Sequence, residues 1–432
     1  MREMKDSGVE WIGEIPKEWG ISRVGLHYSI ILGKMLCPQQ LDSTYSLEEY
    51  FCAANVHFGE ICTTELKKMW FSPTEKEQYH IEVGDMLIVE GGAGAGGCAI
   101  VQHATSALAQ NSIMIIRSQH KSDNRYLCYY IESLVKRGYI DVICNRATIP
   151  HFTKEKLSKT RLPVFSQQDQ MMIADYLDCK CAQIDALIAN QQTQIEKLKA
   201  YKQSLITEVV TKGLDPDVPM KDSGVEWIGM IPNKWRISRI GLHYSIVLGK
   251  MLCPRQTDST YTLEEYFCAA NVHFGEICTD ELKEMWFSPT EKRQYHIETG
   301  DMLIVEGGAG AGGCAIVQSS TSALAQNSIM IVRNLRGTDN RYLCYFIESL
   351  VKRGYIDVIC NKATIPHFTK EKLSKTQFPV CSQEDQILIS DYLDKKCSKI
   401  DRLISLKQAK IEKLEQYKKS LIYEYVTGKK EI

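Results

Sequence analysis

The chain contains one block of sequence twice, and this internal repeat limits its fold more than any other feature. The segment from Lys5 to Gly13 recurs from Lys221 to Gly229, an offset of 216 residues that also relates Trp11 to Trp227. The offset holds along both copies without insertion or deletion. Solenoid repeats have periods of roughly 20–50 residues, so each copy here has the size of a domain. Two copies of one surface indicate a target with two copies of one feature.

Length and composition are those of a globular protein. A chain of 432 residues has room for roughly two to four domains. Hydrophobic residues make up 44% and charged residues 24%, which argues against a disordered or fibrous chain. No apolar run reaches the ~18 residues needed to span a bilayer, and Met1 to Asp6 do not resemble a signal peptide. We therefore expect a cytoplasmic protein with no membrane association.

Cysteine spacing and net charge exclude some classes of protein. The sixteen cysteines include no pair separated by two residues, so the zinc-ribbon and thioredoxin spacings are absent and we expect reduced thiols. The net charge of −1 does not favour nucleic-acid binding, because neutralising phosphates requires Lys and Arg. Any basic surface must therefore be local.

The first part of each module is predicted to mix strands and helices. Gly84 to Glu90, the glycine loop Gly91 to Gly97, and Cys98 to Val101 indicate a strand, a tight turn and a strand. Ser112 to Ile116 is a further β-branched run, and Tyr126 to Leu134 is predicted to be a helix. The globular part is therefore expected to be a mixed α/β domain.

A long helix is predicted to follow each globular part. Ser166, with Asp169 three residues later, is typical of a helix start. Mostly apolar residues then recur at spacings of three and four, as in a coiled coil. These positions are Leu177, Cys181, Ile184, Ile188, Gln191, Ile195, Leu198, Lys202, Leu205 and Val209, and in the second copy Leu393, Cys397, Ile400, Ile404, Lys407, Ile411, Leu414, Lys418, Leu421 and Tyr425.

We predict an α+β protein in which two mixed α/β domains alternate with two long helices that pair as an antiparallel coiled coil. The predicted boundaries are 1–165 and 220–381 for the domains, 166–212 and 382–428 for the helices, and 213–219 for the linker. Each helix would be roughly 65 Å long. Because the linker is short, the second domain is expected at the far end of the first helix, which gives a pseudo-twofold dumbbell. The alternative, an amphipathic helix lying on its own domain, is disfavoured because such helices are usually shorter than about 45 residues.

The sequence contains no recognisable catalytic or metal motif. Gly92 to Gly97 matches GxGxxG, but the apolar run after it indicates a strand rather than the helix that binds a pyrophosphate, so we prefer a hairpin loop. No GK[ST] sequence follows a glycine loop, and neither Asn-Pro-Pro nor Asp-Pro-Pro occurs. His80 and His151 stand outside any metal-binding spacing. We assign no catalytic residue.

The segment Arg146 to Arg161 has the side chains that bind a phosphate backbone. It has five basic residues and one acidic residue, interleaved with hydroxyls, and its counterpart Lys362 to Gln377 has four basic and one acidic. A solvated charged face is an equally good explanation. The candidate DNA contacts are Gly92, Gly94, Asn111, Arg146, Thr148, His151, Lys154 and Lys156, and in the second copy Gly308, Gly310, Asn327, Lys362, Thr364, His367, Lys370 and Lys372.

Several motifs together resemble the DNA specificity subunit of type I restriction-modification systems, and the resemblance covers both halves of the chain. They are Ser7 to Trp19, Gly84 to Ile88, Gln110-Asn111, Ala147 to His151, Lys154 to Leu157, Gln170, and the helix start from Leu177-Asp178 to Ile184-Asp185. The resemblance implies two target-recognition domains that bind double-stranded DNA, and helices that bind methyltransferase subunits and in turn a restriction-translocase subunit. S-adenosylmethionine, ATP and Mg²⁺ would belong to those partners, and this chain would have no cofactor.

One departure from the family pattern bears on the target. Members usually carry two unlike recognition domains and read an asymmetric bipartite site, whereas the two domains here are near-copies. We therefore expect an interrupted palindrome, with half-sites at most about 19 base pairs apart if the helix sets their separation. The alternatives are a coiled-coil scaffold that binds proteins and a stand-alone DNA-modifying enzyme, and the missing motifs argue against the enzyme.

Overall fold

The computed structural model describes residues 2–119, 122–144, 150–335, 337–359 and 366–432. In the first module the strands are β1 (Met4–Asp6), β2 (Glu14–Pro16), β3 (Gly20–Arg23), β4 (Tyr28–Leu32), β5 (Ser46–Phe51), β6 (Val56–His57), β7 (Glu60–Ile61), β8 (Lys67–Phe71), β9 (Met86–Val89), β10 (Cys98–Ile100), β11 (Leu108–Ala109), β12 (Ile113–Ser118) and β13 (Arg161–Val164). Its α-helices are α1 (Pro73–Gln78), α2 (Asn124–Lys136), α3 (Tyr139–Ile143), α4 (Lys154–Lys159) and the long α5 (Gln167–Lys212).

The second module repeats this order of elements. Its strands are β14 (Met220–Asp222), β15 (Met230–Pro232), β16 (Arg236–Arg239), β17 (Tyr244–Leu248), β18 (Thr262–Phe267), β19 (Val272–His273), β20 (Glu276–Ile277), β21 (Lys283–Phe287), β22 (Met302–Val305), β23 (Cys314–Ile316), β24 (Leu324–Ala325), β25 (Ile329–Asn334) and β26 (Gln377–Val380). Its α-helices are α6 (Pro289–Gln294), α7 (Asn340–Lys352), α8 (Tyr355–Ile359), α9 (Lys370–Lys375) and the long α10 (Gln383–Val426). The predicted mixture of strands, short helices and two long helices is confirmed.

The central sheet of the first module is buried on both faces. Its strand order is β10-β9-β12-β4, and every pair is antiparallel. Met86 and Ile88 of β9 pack in the core that contains α2, whereas Leu87 and Val89 pack in a second core with Phe51. Successive side chains of a strand point to opposite faces, so a strand covered on both sides is a continuous apolar run. This explains why β9 reads Met-Leu-Ile-Val without alternation.

The glycine loop forms a hairpin between β9 and β10, as predicted. Cys98 lies opposite Ile88 in the antiparallel pair. Gly92 and Gly96 have φ angles of 91° and 82°, in the left-handed region that glycine adopts without strain. Because a strand follows this loop, its GxGxxG spacing does not form the strand-to-helix turn that binds a dinucleotide.

Two compact units divide the long helices between them. The first unit comprises Met1–Gln191 and Ala409–Ile432, and the second comprises Gln192–Gln408. In the first unit the Tyr126 hydroxyl donates to the Val426 carbonyl at 2.8 Å, and in the second the Tyr342 hydroxyl donates to the Val210 carbonyl at 2.9 Å. Each globular region therefore completes its core with the last turns of the helix from the other module.

The long helices pair antiparallel within each unit. The predicted start is confirmed, because Ser166 Oγ accepts from the Asp169 backbone N–H at 3.1 Å. In the first unit Tyr176 of α5 contacts Tyr425 of α10, and Lys418 Nζ lies 2.7 Å from Asp185. Residue numbers thus rise along α5 as they fall along α10. In the second unit the same pair recurs as Lys202 and Asp401, also 2.7 Å apart.

These ion pairs explain the lysines on the predicted apolar seam. Lys202 and Lys418 each reach an aspartate of the partner helix, which gives their charge a partner at the helix interface. Polar residues at a seam lower the stability of a coiled coil but favour one register. Gln191, the polar residue at another seam position, is buried.

Candidate nucleic-acid interface

The glycine loop and the His151 segment are separate in sequence but bonded to each other. Gly92 N–H donates to the Pro150 carbonyl at 3.1 Å, and Phe152 N–H donates to the Glu90 carbonyl at 2.6 Å. Gly91 and His151 form an antiparallel bridge. Two of the segments chosen from the sequence as DNA contacts therefore form one surface.

Gly91 allows this close approach because it has no side chain. A Cβ atom at Gly91 would lie 2.6 Å from Nδ1 of the His151 ring, which is shorter than real Cβ contacts. Gly94, at the exposed side of the loop, has no atom closer to such a Cβ than 3.9 Å. His151 is exposed while Phe152 is buried. The loop thus holds the His151 ring at the surface.

The Asn111 segment joins the same surface through Ser112. Glu90 N–H donates to the Ser112 carbonyl at 2.9 Å. Gln110 Nε2 donates to Asn111 Oδ1, and Gln110 Oε1 accepts from Ser112 N–H at 3.0 Å. Asn111 is half-buried, with its side chain oriented by this network. Asparagine in a fixed orientation can recognise a base edge, since it both donates and accepts.

Lys154 and Lys156 differ in how available their charges are. Thr153 caps α4, and Lys154 is the first, exposed residue of that helix. Lys156 Nζ instead donates to the His151 carbonyl at 2.8 Å and lies 3.4 Å from Cys144 Sγ. Within the described residues Lys154 has no acidic partner, so its ammonium is available to a phosphate, whereas Lys156 orients the segment.

The second module repeats this arrangement. Gly308 N–H donates to the Pro366 carbonyl at 3.1 Å, Phe368 N–H to the Glu306 carbonyl at 2.6 Å, and Glu306 N–H to the Ser328 carbonyl at 2.9 Å. The sequence candidates Gly308, Gly310, Asn327, His367, Lys370 and Lys372 therefore occupy the same positions as their first-copy counterparts. Four further candidates, Arg146, Thr148, Lys362 and Thr364, lie outside the described residues.

A loop that sequence reasoning missed lies directly beside Asn111. Lys34 N–H donates to the Ala109 carbonyl at 2.9 Å, and the Lys34 carbonyl accepts from Asn111 N–H at 2.8 Å. The next residues, Met35 and Leu36, are exposed. The loop has no charge cluster and no periodic pattern, and the sequence signal was only that Lys-Met-Leu recurs as Lys250-Met251-Leu252.

Lys34 is buried beneath this loop by an ion pair with Glu75. Its ammonium also lies 5.0 Å and 5.4 Å from the ring centres of Tyr45 and Phe71. Burial opposes ionisation of Glu75, but the hydrogen bonds from Lys34 and Ser72 outweigh it and lower the pKa of Glu75. Lys34 therefore positions the loop and is not available to a phosphate.

The described part of the chain has few other features that would suggest a metal-binding, catalytic or membrane-spanning role. No group of three or more His, Cys, Asp and Glu side chains there is placed to hold a metal ion. The His80 ring bonds to Glu82 and to the Glu77 carbonyl, and these bonds raise its pKa. Among the described residues, no helix has both the length and the apolar character needed to cross a bilayer.

Comparison with known families agrees with this duplicated arrangement. A family model described as the type I restriction modification DNA specificity domain matches residues 62–200 and again residues 287–416. The chain belongs to the family of type I restriction-modification DNA specificity subunits. It is 22% identical over 424 residues to the type I restriction enzyme MjaVIII specificity subunit of Methanocaldococcus jannaschii, covering 96% of this chain and 93% of that protein.

Solved structures show that the fold is that of the family. One solved chain superposes with a TM-score of 0.72 at 16% identity; it comes from work on complex assembly and conformational transition of the type I R-M system. The match covers 96% of this specificity subunit and 99% of that chain. The HsdS subunit from Thermoanaerobacter tengcongensis superposes with a TM-score of 0.54 at 15% identity, covering 96% and 98%. The order of domains and helices is therefore shared over nearly the whole length.

Proposed function

We propose that this specificity subunit directs methyltransferase and restriction-translocase subunits to a bipartite DNA site. The observation that carries the proposal is the repeated surface: each unit holds a glycine loop, an oriented asparagine, an exposed histidine and an exposed lysine in matching contacts. Two equivalent surfaces on one chain suit a target with two equivalent half-sites. The name of the Methanocaldococcus jannaschii relative and the complex in which one structural neighbour was studied support the choice of partners.

The half-sites are proposed to be inverted copies of one sequence. Asn111 and Asn327, His151 and His367, and Lys154 and Lys370 are identical pairs, so the two surfaces present the same groups to base edges and phosphates. The antiparallel coiled coil predicted from the sequence would relate the two surfaces by a twofold axis, and for this reason an inverted rather than a direct repeat is proposed. The proposed target is therefore an interrupted palindrome.

Methylome sequencing of a host that carries this chain and its methyltransferase tests the palindrome. We expect one methylated motif whose two halves are related by a twofold axis and separated by a spacer of defined length. A strain that lacks only this chain is the control and should lose the motif. An asymmetric motif would contradict the palindrome, and persistence of the motif in the control strain would contradict the proposed role.

The chain is proposed to supply recognition while its partners supply the chemistry. The sequence contains no recognisable catalytic motif. As the family resemblance implies, S-adenosylmethionine, ATP and Mg²⁺ are proposed to bind to the partner subunits. The purified chain, mixed with DNA, Mg²⁺ and S-adenosylmethionine, should neither cleave nor methylate; either reaction would favour the stand-alone enzyme. Fluorescence anisotropy with duplex DNA, with and without methyltransferase, tests the scaffold, for which binding would not depend on DNA sequence.

A further inference from the structure

Two large apolar side chains protrude beside the Asn111 segment in the first unit. Met35 is 76% exposed and Leu36 is 58% exposed. In the second unit Met251 and Leu252 are exposed to the same extents, 76% and 58%. Exposed apolar residues that occur singly are common on protein surfaces. Here they are adjacent, and the pair is present in both modules.

The backbone on both sides of Met35 and Leu36 is anchored. Before them, Lys34 bonds through its N–H to Ala109 and through its carbonyl to Asn111. After them, the Cys37 carbonyl accepts from Trp70 N–H at 3.0 Å, and Cys253 accepts from Trp286 in the same way at 3.0 Å. The two apolar residues thus form a two-residue tip between fixed points, which we call the apolar tip.

A buried charge reinforces the first anchor. Lys34 is buried, and its ammonium pairs with Glu75 below two aromatic rings. In the second module Lys250 Nζ lies 2.5 Å from Glu291, again over two rings. A lysine held in this way cannot swing outward without leaving a carboxylate unpaired. The tip is therefore held in place and does not depend on a partner for its position.

The apolar tip is continuous with the candidate interface. The Asn111 N–H donates to the Lys34 carbonyl at 2.8 Å, so the tip starts at the residue after the one that binds Asn111. Exposed Pro38, Gln39 and Gln40 follow it in the chain. A stable protein–protein interface usually buries about 800 Å² of surface on each partner, far more than two side chains provide. Two adjacent apolar side chains suit a single step between base pairs.

We propose that the apolar tips, Met35–Leu36 and Met251–Leu252, are wedges that insert at a base step of each DNA half-site and unstack it. The proposal rests on the proposed function. Leucine and methionine are among the side chains that proteins insert between base steps, where they kink the duplex. Steps that unstack easily, such as TA and CA/TG, would then be favoured at a position that no hydrogen bond reads.

The test uses the chain assembled with its methyltransferase subunits and duplexes that carry the methylated motif. One adenine at a time is replaced with 2-aminopurine, whose fluorescence rises when its neighbours unstack. For the wild-type complex we expect a rise at one step in each half-site, away from the methylated base. The variant M35A/L36A/M251A/L252A should lose that rise and bind the motif roughly tenfold more weakly. Its affinity for unrelated duplex should stay within about twofold.

Leu26→Ala with Leu242→Ala is the matched control. These leucines are 65% and 60% exposed, and they precede the strands β4 and β17 that lead to the tips. They therefore lie at the opposite ends of the same strands, and the control should keep both the fluorescence rise and the affinity. Fluorescence at the methylated base, which the methyltransferase would flip out of the stack, should persist in every variant and shows that the complex is intact.

Two results would overturn the wedge. One is a tip variant that keeps the fluorescence rise and the affinity for the motif. The other is a tip variant that no longer assembles with methyltransferase, which would make the tip a protein contact. If the wild-type complex itself showed no preference for the motif, the proposed function would fail and the wedge with it. Loss of the fluorescence rise and of affinity in the tip variant alone supports the wedge.

Discussion

Lysines of the recognition modules serve two different purposes, and burial separates them. Lys34 is enclosed by Glu75 and aromatic rings, and Lys156 donates to the His151 carbonyl. The ammonium groups of both lysines therefore stabilise segments of the protein. Lys154 is exposed at the first turn of α4. A count of basic residues therefore overstates the charge available to phosphates. This agrees with the net charge of −1.

Alanine at both Lys154 and Lys370 should weaken binding to every duplex by the same factor. Each lysine is expected to neutralise one phosphate, so the slope of log binding constant against log salt should fall by roughly two. Anisotropy titrations of the assembled complex at several salt concentrations measure this. Lys159→Ala with Lys375→Ala is the control, because these lysines already pair with Glu155 and Glu371. Equal effects of the two variants would show that Lys154 lies on a merely solvated face.

The hairpin between β9 and β10 fixes the path of the His151 segment through backbone hydrogen bonds. Its glycines are not equivalent. Gly91 faces the His151 ring at a distance that excludes a Cβ atom, while Gly94 faces open space apart from Val89. The loop is therefore a contact site for another segment of the same module on one side and a free surface on the other.

Gly91→Ala with Gly307→Ala should impair recognition with little loss of stability. The new methyl groups would lie 2.6 Å and 2.5 Å from the rings of His151 and His367, and these exposed rings can move away. We expect the free energy of unfolding to change by less than about 1 kcal/mol. Affinity for the motif should fall about tenfold, the equivalent of one base contact. Urea unfolding and anisotropy measure the two effects. Leu26→Ala with Leu242→Ala, exposed and outside the candidate interface, should change neither, and a similar loss there would contradict this role of His151.

Elements with a local signal were predictable, and contacts across the chain were not. An apolar run followed by a glycine loop predicted β9, whereas the period of apolar residues predicted α2 and the seam of α5. Ser166 predicted the start of that long helix. The bond between Glu90 and Phe152 depends on which backbone atoms meet across some sixty residues, and no local pattern encodes that. The apolar tip escaped notice because its anchors, Ala109 and Trp70, are distant in sequence.

At the scale of the whole molecule, each compact unit is built from two distant stretches of chain. The first unit needs Leu421, Ile422, Tyr425 and Val426 in its core, and the second needs Ile206, Val209 and Val210. The predicted division at residues 165 and 220 follows chain order, whereas the cores cross it. Stability of one globular region should therefore depend on residues of the other module.

Ile422→Ala and Ile206→Ala test this dependence as a matched pair, since the repeat makes the two positions equivalent. Both side chains are buried, and each substitution should cost about 2–5 kcal/mol. Hydrogen exchange should accelerate in α2 for Ile422→Ala and in α7 for Ile206→Ala. Each variant serves as the control for the other. Faster exchange in the helix of the substituted module, α7 for Ile422→Ala, would show that the cores do not cross between modules.

During synthesis, the first compact unit stays incomplete until the last turns of α10 have been made. Residues up to Gln191 are made well before Ala409, and at about 5–20 residues per second the interval is roughly 10–40 s. During that time the Tyr126 hydroxyl has no Val426 carbonyl to bond, and the apolar cover of its core is missing. The second unit needs nothing beyond Gln408. The half that leaves the ribosome first is thus the last to be completed, and its open core is exposed to chaperones and proteases throughout.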